Sequence, residues 1–274
     1  MVRNMILAAA LAAFSSASFA EGAASATTLE ARLFNSPALA GAYKEDISED
    51  EKIAGLSKFW SEVKYNFVYV DKLKQIDWDQ LYLDTIPKVR ATKSTVEYYR
   101  VLMALCAKLG DGHTNVYPAR EVWERHIALP LIKTHLVEGK VLVRDVLDDG
   151  LRAKGVAPGV EIVAVDGEPS VAYGQRQVAP YQSASTKHDL DVRTYTYAFL
   201  AGPVDQSPKL TFRDAKGKTF DLNVQRHSGG MMKVLRPAKP FELRVLPGNV
   251  AYVALNTFND AVTANQFLDA FKEI

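Results

Sequence analysis

The chain has 274 residues, 48% hydrophobic, 24% charged and 10% aromatic, which is the composition of a folded globular protein with a sizeable core. Its 33 Lys+Arg against 32 Asp+Glu give a formal net charge of +1, so nothing in the charge steers it towards nucleic acid or an anionic membrane. One cysteine excludes an intrachain disulfide and a Cys-rich zinc site.

Residues 1–20 have the pattern of a secretory signal peptide: Arg3, an apolar run from Met5 to Phe14, then small residues ending Ser18-Phe19-Ala20. The run is too short to span about 30 Å of hydrocarbon. A cut after Ala20 predicts a periplasmic or secreted protein with no integral membrane span. Residues 21–45 read as a flexible lead-in rich in Ala, Ser and Thr.

Residues 46–127 predict a helical domain. Ser48 and Glu51 have capping-box spacing, and Ile53, Leu56, Phe59, Trp60 and Val63 share one face of the helix that follows. A second helix starts near Asp77 and is limited in regular length by Pro87. Ser94 and Glu97 repeat the capping pattern before a third helix, which carries Cys106 as a small buried hydrophobe and stops at Gly110. The aromatic group Trp60, Phe67 and Tyr69 reads as helix packing rather than a ligand box.

Residues 128–240 change to strand periodicity. Strands are expected over Leu131–Leu136 and Lys140–Leu147 around Glu138-Gly139, over Glu161–Val165 before the Asp166-Gly167 turn, and over Lys209–Arg213 and Thr219–Gln225. A short helix is expected at 151–156 and a longer one over Thr186–Leu200. Pro237 and Pro240 mark a linker. Residues 241–274 then give strands Phe241–Leu246 and Val250–Leu255 and a helix capped by Asn259 or Asp260. A hairpin and one helix bury too little surface to stand alone, so this segment reads as the incomplete opening of a further domain. The fold class expected is α+β and multidomain.

The sequence holds no G-x-S-x-G, H-E-x-x-H, P-loop or G-x-G-x-x-G motif, and its five histidines have no metal-ligand spacing. No metal or cofactor is expected. The informative stretch is Leu109-Gly110-Asp111-Gly112-His113-Thr114, where a helix ends and two glycines free the backbone around a carboxylate, an imidazole and a hydroxyl. Asp111 is placed to orient the ring or to accept free backbone amides, and His113 to take a proton from a nucleophile. The competing reading is a turn whose Asp and Thr satisfy local amides.

Here the chain resembles the S41 family of serine peptidases, which includes the C-terminal processing and tricorn-type proteases. The Trp60-Ser61-Glu62-Val63-Lys64-Tyr65-Asn66-Phe67 helix end and Asp77-Trp78-Asp79 look like the family's start, and residues 109–114 are similar to its L-x-D-x-H-T signature. Gly155 to Gly167 resembles the family's PDZ-like pattern with one extra residue before Glu161, and Val250 to Phe258 its first catalytic strand. The resemblance implies a helical domain, a PDZ-like domain with insertions, and the start of a crotonase-like α/β catalytic domain. It implies hydrolysis of peptide bonds in unfolded or C-terminally exposed polypeptides by a serine that these residues lack. Ser228-Gly229-Gly230 precedes the catalytic strands and is not that serine. It makes His113 the candidate general base, as in tricorn-like members, with a Lys in the other branch, and Asp111 and Thr114 its supporting turn. The PDZ-like peptide-binding loop falls on Leu129, Pro130 and Leu131. Pro130, without an N–H, departs from carboxylate capture. A non-catalytic peptide- or protein-binding module of the cell envelope is the alternative. Without the serine, residues 1–274 alone are expected to be inactive.

Overall fold

A computed structural model describes residues 43–236, 239–257 and 261–272. The signal peptide, nearly all of the lead-in, Pro237 of the linker and the Asn259/Asp260 cap lie outside them. Ala42 to Leu235 form one compact unit that holds both the helices and the main sheet; residues from Arg236 onwards belong to another.

The helical part begins with α1 (Glu49–Asn66), whose capping box is complete: Glu51 N donates to Ser48 Oγ, and the Glu51 carboxylate accepts from the Ser48 amide. A short α2 (Val70–Gln75) follows, then α3 (Trp78–Ala91), started by Asp77, whose carboxylate accepts from Gln80 N. Pro87 does not end α3. Pro87 and Leu83, whose carbonyl loses its partner, are both exposed, so water can take the orphaned oxygen. In α4 (Thr95–Ala107) only half of the second capping box forms. Glu97 N donates to Ser94 Oγ, while the Glu97 carboxylate accepts from Lys93 N instead of the Ser94 amide. A fifth helix, α5 (Arg120–His126), closes this part.

Leu56, Val89, Leu105, Cys106 and Leu109 form the helical core, and each is at most 5% exposed. Trp60 stacks at a tilt on Tyr82 with centroids 5.0 Å apart, and its carbonyl accepts from Trp78 Nε1 at 3.1 Å. Two of the aromatic group are thus accounted for: Trp60 by this packing, and Phe67 by burial in the same core. Tyr69 meets Phe67 edge-on but stays exposed.

The sheet contains β1 (Ile132–Val137), β2 (Lys140–Val146), β3 (Glu161–Val165), β4 (Glu168–Pro169), β5 (Lys209–Arg213) and β6 (Thr219–Asn223). The order is β1-β2-β3-β5-β6 with β4 beside β3, and every pairing is antiparallel. The β1–β2 turn has positive φ at Glu138 and Gly139, and the β3–β4 turn at Asp166 and Gly167, the geometry that matches strand twist in two-residue hairpins. A bulge at Arg144 changes the phase of β2, so that Val146 points inward in register with Val141 and Val143. The core is built on Ile162, Val165, Leu210 and Phe212, all at most 1% exposed.

Short helices cover this core: α6 (Asp149–Ala153) after β2, and α7 (Ser170–Tyr173) running into a wide π-type turn at Gly174–Val178. The expected helix over 186–200 is shorter than its periodicity suggests. It comprises α8 (Lys187–Val192) and a second wide turn, Arg193–Tyr197. The two wide turns meet. Tyr195 Oη donates to Val171 O at 2.8 Å, and Gly174 leaves the space its ring occupies, since a Cβ there would lie 2.3 Å from the ring.

A last helix of this unit, α9 (Gly230–Leu235), crosses the start of the sheet region so closely that a Cβ on Gly230 would sit 2.3 Å from the Leu129 carbonyl oxygen. That neighbour is backbone and cannot swing away. Gly230→Ala is expected to cost about 1–3 kcal/mol, read as a lower urea midpoint at unchanged m-value.

In the other unit, β7 (Phe241–Leu246) and β8 (Val250–Leu255) pair antiparallel around Gly248 and Asn249, both at positive φ, and α10 (Ala261–Ala270) lies against β7. Asn256 ties the hairpin's end back, its amide donating to Pro240 O at 2.8 Å and its side chain to Lys239 O at 2.9 Å. Among the described residues no helix is long and apolar enough to cross a membrane.

Candidate active site

The stretch 109–115 is a turn held from several sides. Leu109 is buried in the helical core, and Gly110 takes φ +59° to stop the chain continuing as α4. Lys72 reaches across from α2 and donates to Gly110 O at 2.8 Å. Asp111 is buried, and its Oδ2 accepts from Thr114 Oγ1 at 2.6 Å, so its side chain closes the turn rather than orienting the neighbouring imidazole.

Gly112 is the anchor point. Its N–H donates to Ser185 Oγ at 2.9 Å, and its carbonyl accepts from Arg193 Nη2 at 2.9 Å and Asn115 Nδ2 at 3.2 Å. Asp189 organises both outside partners: Oδ1 takes Arg193 Nε at 2.8 Å and Oδ2 takes Ser185 N at 3.2 Å. The fit is close at 112, where a Cβ would lie 2.7 Å from Asp189 Oδ2 and would have to displace that carboxylate from its bonds to Ser185 and Arg193.

Beneath the turn, Cys106 Sγ donates to Thr114 O at 3.2 Å and lies 3.5 Å from the Ser183 hydroxyl. Burial pushes its thiol up to about 11, with the Asp111 charge adding to the rise. The folded protein holds this proton more tightly than the unfolded chain, so stability falls as pH rises from about 9, the ordinary value, towards 11. Thiol titration with an aromatic disulfide at pH 8 is expected to find no reactive group in the folded protein and one in urea.

Against this bound framework His113 is exposed, and its ring makes no hydrogen bond or ion pair among the described residues. Asp111 and Thr114 are brought together; His113 stands next to them but free of both. His113 lies outside both cavities of about 470 Å³ in this unit. Among the described residues no three His, Cys, Asp or Glu side chains come together as a metal site.

Leu129 and Pro130 are buried and Leu131 is half-buried. The backbone here serves the fold: Ala128 pairs with Gly202 in both directions, Leu129 O accepts from His227 N at 3.0 Å, and Pro130 O accepts from Ile132 N at 2.8 Å. Leu131 O takes Leu147 N at 2.8 Å.

Lys72, Ser185, Asp189 and Arg193, which shape the turn, are absent from the sequence reading. Asp189 and Arg193 carried a signal, an i,i+4 acid–base pair directly after a Thr186 cap; Lys72 and Ser185 carried none.

No family model and no curated protein matches the chain. Among solved structures it resembles mature CPAF complexed with lactacystin, at 14% identity and a TM-score of 0.50 over 65% of this chain and 35% of that one. A structure of mature CPAF gives 14% identity and a TM-score of 0.43 over 65% and 34% of the two chains. The tricorn protease gives 13% identity over 68% and 17%, at a TM-score of 0.24 that is too low to speak even to fold. The chain therefore spans about a third of the length of mature CPAF, and what it shares with that protein is a mixed helix-and-sheet fold.

Proposed function

We propose that the chain is part of an exported S41-type serine endopeptidase that hydrolyses peptide bonds in unfolded or C-terminally exposed polypeptides. His113 is the candidate general base, and the nucleophilic serine lies outside residues 1–274. The observation that carries the reading is His113 itself: an exposed imidazole with no partner among the described residues, on a turn whose backbone is fixed by Lys72, Ser185 and Arg193. A base must keep its ring nitrogens unengaged and start from a well-placed backbone, and this turn offers both. The order of motifs along the chain and the fold likeness to mature CPAF support it.

In this reading His113 takes the proton of the serine hydroxyl as it attacks the scissile carbonyl and returns it to the departing amine. Backbone amides stabilise the oxyanion. The sheet part is a PDZ-like spacer that orients the catalytic domain, a role favoured by the use of Leu129 and Pro130 in its own packing. The test is the protein isolated from its native host, incubated with casein. Cleavage blocked by a serine-directed sulfonyl fluoride and indifferent to a chelator is expected. Absence of cleavage by that protein would sink the peptidase reading and leave the binding module.

A further inference from the structure

A cavity of about 470 Å³ opens between α4, α5 and the sheet part of the same unit. Its wall is mixed: Val96, Met103, Val122 and Val178 give it apolar surface, tyrosine and glutamine side chains give it polar surface, and Arg226 also lines it. Arg226 is only 6% exposed. Nε donates to Leu200 O at 2.8 Å and Nη1 to Gln206 O at 3.1 Å. Nη2 has no hydrogen-bond partner among the described residues, and no carboxylate there comes within the 4.0 Å of an ion pair. A buried guanidinium with only neutral partners is costly, and an arriving anion removes that cost.

The surroundings fit this need. Gly202 lets the guanidinium lie flat on the backbone; a Cβ there would fall 2.6 Å from Arg226 Cζ. Arg100 also lines the cavity, exposed, with its guanidinium 4.1 Å from the centroid of the Tyr181 ring and no acidic partner among the described residues. The acidic group in the lining is Asp166, whose Oδ1 is engaged by Lys209 N at 2.8 Å. Two arginines against one aspartate leave a net positive pocket of ordinary ligand size, part of whose wall is apolar.

We propose that this cavity binds a carboxylate attached to an apolar body. The unpartnered Nη2 of Arg226 receives the carboxylate, Arg100 at the mouth draws it in, and the valine and methionine side of the wall takes an aromatic or branched hydrocarbon. The carboxylate comes either from a free small acid or from the carboxyl end of a peptide. The site is separate from His113 and stands whether or not the protein cleaves peptides.

Calorimetric titration of the purified protein with phenylacetate, phenylacetamide, and N-acetyl-alanyl-phenylalanine as acid and as amide tests it. Both acids are expected to bind, each at least about tenfold more tightly than its amide, the margin of a charged hydrogen-bonded pair. A tighter dipeptide acid identifies a peptide end, and a tighter phenylacetate a small acid. Arg226→Gln is expected to lose at least about tenfold in acid affinity. Asp166→Asn, which keeps an oxygen for Lys209 N and removes the like charge, is expected to gain severalfold. Should Arg226→Gln fail to fold for want of its bonds to Leu200 and Gln206, the acid–amide pairs and Asp166→Asn decide. Equal binding of acid and amide, no binding at millimolar concentration, or indifference to Asp166→Asn overturns the proposal.

Discussion

In the full-length peptidase of the proposed reading, His113→Ala is expected to lower kcat by about 10²–10⁴-fold, the usual contribution of a positioned general base. KM is expected to move little, because an imidazole that acts on the nucleophile's proton adds no uniform substrate affinity. The fold is not expected to suffer. The ring is exposed and makes no hydrogen bond among the described residues, so the change falls in the class of surface substitutions worth at most about 0.5 kcal/mol. Casein cleavage beside a thermal melt separates the two effects. An unchanged rate would remove His113 from the chemistry and pass the role to a lysine.

Phe212→Ala carries the largest expected loss of stability, about 3–5 kcal/mol. Phe212 is fully buried in β5, opposite Ile162 on one side and Phe220 on the other. Its ring stacks on Phe220 with centroids 5.3 Å apart and planes 18° from parallel. Truncation opens a void that two paired strands cannot collapse into. A typical domain has about 5–15 kcal/mol in all, so the variant should sit near its unfolding threshold at ambient temperature. Urea unfolding followed by far-UV circular dichroism measures it. A loss below about 1 kcal/mol would mean that the sheet core repacks freely.

The strands were legible because two signals agree along them. Alternation marks β5, where Leu210 and Phe212 point inward, and Asp166-Gly167 and Glu138-Gly139 supply the residues that a tight hairpin turn requires. The structure has strands at Glu161–Val165, Lys209–Arg213, Phe241–Leu246 and Val250–Leu255, as the sequence predicts. Helix ends were less legible, since they depend on solvent and neighbours: Pro87 is tolerated on an exposed face, and the 186–200 periodicity breaks at Arg193 into a wide turn shaped by packing on Gly174. At the candidate site the turn residues 109–114 were visible in the sequence and their partners were not. Gly112 meets Ser185 and Arg193, 73 and 81 residues away, and no local pattern encodes such a meeting.

Those long separations also set an order of events. The His113 turn is fixed by bonds to residues 38, 73 and 81 positions away, so it takes shape only after α2 and the Ser185–Arg193 segment have docked. Contacts between distant parts of a chain form late, because loop-closure entropy must first be overcome. The backbone that carries His113 therefore acquires its fixed position near the end of folding. In the proposed peptidase reading that timing would be a safeguard: a half-folded copy is itself an unfolded polypeptide, and it would meet other half-folded copies before any of them has an assembled base.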